Sequence, residues 1–434
     1  MKYAVITFGC RVNQADSLGF EEQLLAAGAE SAPPHAADLV VVNTCSVTAT
    51  SDQGARQTIR RIARDNPSAR IVVTGCYATR AAGEVGSLPN VTRVIANDDK
   101  PRLLSILRTE AVSRGSREPE LFTSERFGDG EGSCGAAIEP GIAGRTAFTL
   151  RVQTGCSEPC SYCIIPSTRG APRSVPIDDV VREVGRVAAA GFKEIALTGV
   201  HLGSYGRDLS PQTSLLDLLG ALEACVRRVR LQPDLLFRIS SLEPMDCVPE
   251  IVDLVATSSS FAPHFHLPLQ HASNRILAAM RRPYGVEDYA ALVDGIRTRI
   301  PHASIGSDVI VGFPGEEQSD VDSLVSYLEW SPLTHLHVFP YSDRPGTGAA
   351  ALRGKVAGAV VRERARRVRE IGQTLADRFH DSQIGTVHRA LTIEDGSLAV
   401  TGNYLKLRIP AARTRNEWVR IRVASHHHGE LLAG

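Results

Sequence analysis

Short β-branched runs alternating with helical stretches constrain this chain more than any single residue does. In its first part the runs are Lys2–Phe8, Asp38–Asn43, Arg70–Thr74 and Thr92–Ala96, separated by amphipathic segments such as Asp16–Ala27 and Ser51–Ala63. Strands alternating with helices at this spacing predict a small parallel α/β sheet. The alternation stops over residues 113–146, a polar, glycine-rich stretch that reads as a linker. It resumes with strand candidates Phe148–Gln153, Glu194–Leu197, Leu235–Ile239, Phe265–Leu269, Ile305–Val311 and Leu333–Phe339. That number of βα units suits an open, partial barrel of the TIM type better than a closed eight-stranded one. An arginine-rich helix over about Val356–Phe379 follows. Short strands near Val387–Ile393, Ala399–Thr401, Leu405–Ile409 and Trp418–Val423 then predict a small all-β domain. The expected boundaries are 1–112, 113–146, 147–378 and 379–434.

The 434 residues are 43% hydrophobic and 22% charged, which excludes wholesale disorder. No apolar run reaches the ~18 residues of a membrane span. Met1, Lys2 and Tyr3 open directly into a strand, so no secretory signal is expected. A cytoplasmic, reducing setting follows, and nine cysteines make a poor disulfide framework. The cysteines are then inert, catalytic or metal-bound.

Cys156, Cys160 and Cys163 form Cys-x3-Cys-x2-Cys just past the first barrel strand, where barrel enzymes place their chemistry. Three thiolates on one short loop can hold three corners of a 4Fe-4S cluster and leave one iron open. Structural zinc would want a fourth ligand, and the 37 residues after Cys163 contain neither Cys nor His. Chance clustering is the remaining alternative. Cys10, Cys45 and Cys76 each end a predicted strand, about 35 and 31 residues apart. In an open parallel sheet those ends share one edge, so distant cysteines can converge there on a second metal. The alternative is that each is a small core residue.

The Cys156 loop, with Tyr162 before its last cysteine, resembles the radical S-adenosylmethionine (radical SAM) superfamily. Taken with Gly9–Asn13, Asn43–Val47 and Thr74–Cys76, it resembles the radical SAM methylthiotransferase family. The match continues through Leu197–Gly206, Arg238–Pro244, His266–Gln270, Met280–Tyr284, Ser307–Glu316 and His337–Ser342. The resemblance implies a flavodoxin-like domain, a radical SAM partial (βα)6 barrel and an RNA-binding TRAM-like β domain. It also implies two 4Fe-4S clusters, one on Cys10, Cys45 and Cys76 that carries or donates sulfur, and one on Cys156, Cys160 and Cys163. S-adenosylmethionine would serve both as methyl donor and as source of a 5′-deoxyadenosyl radical. Tyr162, Gly199, Ser240 and Asp308 are the expected S-adenosylmethionine contacts. Arg238, Ser241 and Glu243 are further candidates for ribose or carboxylate, and ordinary turn or capping roles are the alternative.

His201, His264, His266, His271, His335 and His337 gather in the barrel half, but no helical His-x3-His supports a metal there. Packing and hydrogen bonding are the expected roles. His426, His427 and His428 make too short a run for an affinity tag or a strong metal site, and Cys134, Cys225 and Cys247 match no motif. Lys+Arg and Asp+Glu balance at 48 each, yet residues 353–434 hold 15 of the former and 8 of the latter. Five arginines lie between Arg362 and Arg369. Glu363–Arg367 and Arg366–Glu370 are expected pairs, and the remaining arginines favour a phosphate-facing surface. Within the family the motifs look most like the MtaB-type group, which acts on N6-threonylcarbamoyladenosine 37 of tRNA. The groups acting on isopentenyladenosine and on a ribosomal protein are the alternatives. Ser157 stands where an acidic residue is frequent, and the β domain is short for a TRAM domain. The implied partners are tRNA and a flavodoxin- or ferredoxin-type electron donor, with a monomer expected and no membrane. A non-enzymatic iron–sulfur RNA sensor is the competing class.

Overall fold

The computed structural model describes residues 1–107, 140, 146–229, 235–410, 413–427 and 429–434. Nearly all of the expected linker 113–146, with Cys134 and His428, lies outside the described residues. The chain forms two compact units. One comprises Met1–Ile138, Arg151–Glu158 and Cys163–Arg186; the other comprises Glu139–Leu150, Pro159–Tyr162 and Val187–Gly434.

In the first unit, β1 (Lys2–Thr7), β2 (Glu30–Ser31), β3 (Leu39–Thr44), β4 (Arg70–Gly75) and β5 (Val91–Ile95) form a parallel sheet in the order β2-β1-β3-β4-β5. This is the flavodoxin-like order, with its switch point between β1 and β3. The middle strand β3 is buried along its whole length. Its unbroken apolar run serves both faces, as a central parallel strand requires. Val40 and Val42 pack with Ile59 of helix α2 (Ala49–Asp65), while Leu39 and Val41 pack with Phe20 and Leu24 of α1 (Arg11–Ala26). The two-residue edge strand β2 is too short to carry a periodic signal, so sequence reading missed it. A small antiparallel pair, β7 (Gln153–Thr154) and β8 (Arg173–Ser174), completes the strands of this unit.

The second unit carries two sets of strands. β6 (Phe148–Arg151), β9 (Glu194–Thr198) and β10 (Leu236–Ile239) form one three-stranded sheet, and β11 (His264–His266), β12 (Ser304–Val311) and β13 (His335–Pro340) form another. A parallel bridge from Phe237 to Phe261 connects them. The result is the open six-stranded arrangement read from the sequence. β11 is shorter than predicted. Pro268 has no N–H to give a neighbour, and the hydroxyls of Tyr284 and Tyr289 take the carbonyls of Leu267, Pro268 and Leu269.

Past the long helix Gly358–Gln383, five strands close a barrel in the order β14-β15-β16-β18-β17. They are β14 (Val387–Ile393), β15 (Leu398–Thr401), β16 (Lys406–Arg408), β17 (Trp418–His427) and β18 (Glu430–Ala433). Sequence periodicity missed β18, which closes the barrel by pairing parallel to β16 and antiparallel to β17. Ala399, Leu407, Val423 and Leu431 fill its interior.

Candidate active site

The three amino-terminal cysteines follow β1, β3 and β4 at the carboxyl edge of their sheet, next to the switch point where open α/β sheets bind ligands. Glycines make their approach possible. A Cβ on Gly9, whose φ is +94°, would lie 2.7 Å from the Cys45 sulfur, and one on Gly75 would lie 2.2 Å from the Thr44 carbonyl oxygen. Cys45 and Cys76 are buried and Cys10 is exposed. Burial pushes the Cys45 thiol up to about 11; the Val47 N–H opposes the rise, while the nearby Cys10 and Cys76 add to it. Asn97 donates to Cys76 Sγ at 3.6 Å and to the Thr168 carbonyl at 2.7 Å.

A buried charge network frames these thiols. Lys100 Nζ donates to Asp16 at 2.7 Å, Arg169 donates to Asp16 at 3.3 Å and also to Asn13, and Arg151 lies 3.0 Å from Asp16. Burial alone would raise the Asp16 carboxyl. Lys100, Arg151 and Arg169 overrule it and hold Asp16 well below the usual carboxylate range. Burial works against the Arg169 charge, but Asp16, Cys76 and Cys10 more than restore it. Three cations, Lys100, Arg151 and Arg169, against one carboxylate leave an excess of positive charge beside the sulfurs. Asn13 and Arg169 lie inside sequence motifs that give no hint of this role. Lys100 had no signal at all.

The central triad occupies eight consecutive residues. Glu158 N–H donates to Cys156 Sγ at 3.4 Å, and Arg282 donates to Cys160 Sγ at 3.2 Å. Arg282 also pairs with Glu243 and donates to the Tyr284 hydroxyl at 3.1 Å. Burial opposes the guanidinium charge, but Glu243, Tyr162, Tyr284 and Cys160 together outweigh it and keep Arg282 firmly protonated. Two sequence motifs, Arg238–Pro244 and Met280–Tyr284, therefore meet at this one guanidinium.

The other predicted contacts divide. Tyr162 packs on the cluster of Ile276, Met280, Phe313 and Ala349. Gly199 directly follows β9, and Ser240 directly follows β10, its N–H bonded to the Leu197 carbonyl at 3.0 Å. The Ser240 hydroxyl is buried with no hydrogen-bond partner. Asp308 sits between two imidazoles, 2.9 Å from His266 Nε2 and 3.1 Å from His337 Nδ1. Burial would raise its carboxyl, and the two rings hold it far below the usual range.

Arg238 does not fit the expected contact with ribose or carboxylate. It is 1% exposed and fully engaged: it donates to Glu194 at 2.9 Å and to the Gly402 carbonyl at 2.8 Å, and lies over the Tyr404 ring at 4.6 Å. It ties β10 to the β15–β16 turn, and the motif around it reflects that structural role.

The arginine helix also differs from expectation. Glu363 pairs with Arg366 rather than Arg367; Arg366 also reaches Glu370, and Arg367 lies 3.5 Å from Asp322. Arg364 turns inward to the buried Glu316 at 2.7 Å. Arg362 and Arg369 are exposed, with no ion pair among the described residues.

Two families match the chain: the uncharacterized protein family UPF0004 over residues 2–96 and the radical SAM superfamily over residues 150–328. Threonylcarbamoyladenosine tRNA methylthiotransferase MtaB of Aquifex aeolicus is 37% identical across 97% of this chain and 100% of its own. The chain belongs to the MtaB-type radical SAM methylthiotransferases. A neighbouring group is not far off. Ribosomal protein uS12 methylthiotransferase RimO of Salinispora tropica is 33% identical over 90% of this chain and 83% of its own. Among solved structures, the radical S-adenosylmethionine methyltransferase TsrM from Kitasatospora setae aligns with a TM-score of 0.57. It is 16% identical, over 80% of this chain and 74% of that one, and supports the fold alone. A radical SAM methylthiotransferase works with 4Fe-4S clusters and S-adenosylmethionine, and the residues fit them. Thiols gathered beside an excess of buried cations suit an anionic cluster, and a partnerless buried hydroxyl at a strand end suits a polar cofactor. No helix of the described residues is long and apolar enough to cross a membrane.

Proposed function

We propose that this enzyme methylthiolates carbon 2 of N6-threonylcarbamoyladenosine at position 37 of tRNA. In this reading Cys10, Cys45 and Cys76 hold one 4Fe-4S cluster, and Cys156, Cys160 and Cys163 hold the other. The observation that carries the reading is the gathering of three sequence-distant thiols at one sheet edge beside Arg169 and Lys100. An enzyme that only generates a radical needs one triad, and a second triad suits a separate sulfur source. When bound, the clusters supply the sulfur and the electron that cleaves S-adenosylmethionine.

The chain's own residues bind and orient. Arg282 stabilises the Cys160 thiolate through a charge-assisted N–H···S contact, and hydrogen bonds to ligand sulfurs tune a cluster's potential. Arg169 and Lys100 supply the same kind of compensation at the amino-terminal thiols. Ser240 and Gly199 offer a hydroxyl and open backbone to S-adenosylmethionine. A buried hydroxyl without a partner costs about 1–3 kcal/mol, which that contact would recover. Asp308, fixed by His266 and His337, presents an oriented carboxylate for the cofactor's ribose, and Tyr162 packs beside the central loop.

The carboxy-terminal barrel acts as a TRAM-like tRNA-binding domain, supported by its closed five-stranded form and by the local basic excess. The enzyme works in the cytoplasm as a monomer and takes electrons from a flavodoxin- or ferredoxin-type donor. The RimO-type reading is the second one, favoured by the 33% identity and by the internal neutralisation of three of the five helix arginines.

Mass spectrometry of tRNA nucleosides from a deletion strain decides between them. Loss of the methylthio-threonylcarbamoyl nucleoside alone supports the proposal. Loss of the isopentenyl analogue, or intact tRNA with unmodified ribosomal protein uS12, overturns it.

A further inference from the structure

Away from both cysteine triads, the long helix and β17 build a second kind of ligand set. Asp377, His380 and Asp381 are spaced i, i+3 and i+4 on the helix, so they share one face. His426 of β17 meets them there, its ring 4.9 Å from that of His380 at an interplanar angle of 79°. The His426 Nδ1 lies 2.9 Å from an Asp381 carboxylate oxygen. A carboxylate only accepts, so Nδ1 carries a ring proton, and in that neutral tautomer Nε2 is the nitrogen left with a free lone pair. That Nε2 is buried and has no hydrogen-bond partner. Its nearest acid, Asp377 Oδ1, is 3.6 Å away, too far for a hydrogen bond. His380 Nδ1 is likewise buried and without a partner. Burial lowers the His380 pKa and the neighbouring His426 adds to this, against the opposing pull of Asp377 and Asp381.

Two buried imidazole nitrogens without hydrogen-bond partners beside a carboxylate form an unsatisfied polar cluster, which a bound cation would satisfy. We propose that Asp377, His380 and His426 bind a divalent transition-metal ion, zinc by preference. One donor atom from each lies within 4.8 Å of the others. Ligands each about 2.0–2.1 Å from a tetrahedral zinc stand roughly 3.4 Å apart, close to the observed gap between His426 and Asp377. Asp381 holds the His426 ring by its other nitrogen, the outer carboxylate that metal-bound histidines characteristically have. Two nitrogens and one oxygen suit zinc over magnesium or calcium, and water fills the open position. The Asp377 side chain is 42% exposed, which gives the ion a way in. The ion would clamp the helix to β17 and so hold the carboxy-terminal barrel.

The test uses untagged, full-length enzyme with its clusters reconstituted, so that cluster cysteines do not compete for zinc. Elemental analysis after dialysis against micromolar zinc should find one zinc per chain in addition to cluster iron. His426→Ala and the near-isosteric Asp377→Asn should each lose it. Asp381→Asn should weaken binding about 10–100-fold while iron content stays the same. Zinc content in wild type no higher than in Asp377→Asn would overturn the proposal. So would zinc that persists in the His380→Ala, His426→Ala double variant. If His426→Ala does not fold, Asp377→Asn alone still decides.

Discussion

The two cysteine triads reach similar chemistry by opposite routes. Cys156, Cys160 and Cys163 are neighbours in the chain, and eight residues of local loop suffice to present them. Cys10, Cys45 and Cys76 come together only because β1, β3 and β4 lie side by side in parallel. The supporting charges differ accordingly. The central loop leans on one guanidinium, Arg282, balanced by Glu243. The amino-terminal triad rests on a buried set in which Arg169, Lys100 and Arg151 surround Asp16. A local site can be damaged without harm to the fold. A site made by topology shares its supports with the core.

The sharpest break is removal of a ligand. Cys160→Ala should abolish both S-adenosylmethionine cleavage and product. Cys76→Ala should abolish product while 5′-deoxyadenosine still forms under dithionite. Equal loss of 5′-deoxyadenosine in both variants would erase the division of labour. Next comes Asp16→Asn, which strands buried cations and should destabilise the fold by about 3–5 kcal/mol in chemical denaturation. Arg282→Ala leaves only the part-exposed Glu243 unpaired, so it should destabilise the fold less than Asp16→Asn while slowing S-adenosylmethionine cleavage about 10–100-fold, with the cluster potential shifted. If Arg282→Ala unfolds the protein and Asp16→Asn does not, the contrast is reversed.

The smallest effect is one of pH. Glu22 on α1 is pushed up to about 7 by burial, which Arg186 offsets only in part because it also serves Glu183. A carboxyl raised in the folded state stabilises the fold below its ordinary value of 4.5 and loses that contribution as pH rises through about 7. The Glu22 contribution should therefore fall by roughly 1–3 kcal/mol across that window, read as the stability difference between wild type and Glu22→Gln at each pH. Asp16 is held below the usual range and stays charged there, while His335, lowered to about 3 by burial, titrates in the opposite sense, so the comparison with Glu22→Gln is what isolates Glu22.

Much of this was legible in the chain. β14 has the bounds read from the sequence, and the edge of β12 moved by one residue, because short β-branched runs bounded by turn residues mark strands locally. β2 and β18 were not legible: β2 is a two-residue edge, and β18 is a short strand whose two partners are set by barrel closure rather than by its own pattern. At the sites, Arg238 shows the limit most plainly. Its motif position suggested a cofactor contact, and its partners on the β15–β16 turn lie more than 160 residues away in the chain.

The sequence by itself determined the parallel α/β character, the six-unit barrel and the central triad, because period, turn residues and close spacing act over a few residues. Only the tertiary structure decided which charges face the amino-terminal thiols, where Arg238 and Arg282 spend their hydrogen bonds, and that His426 meets His380. Burial and electrostatics depend on what folds against a residue, and that neighbour is set by topology across the whole chain.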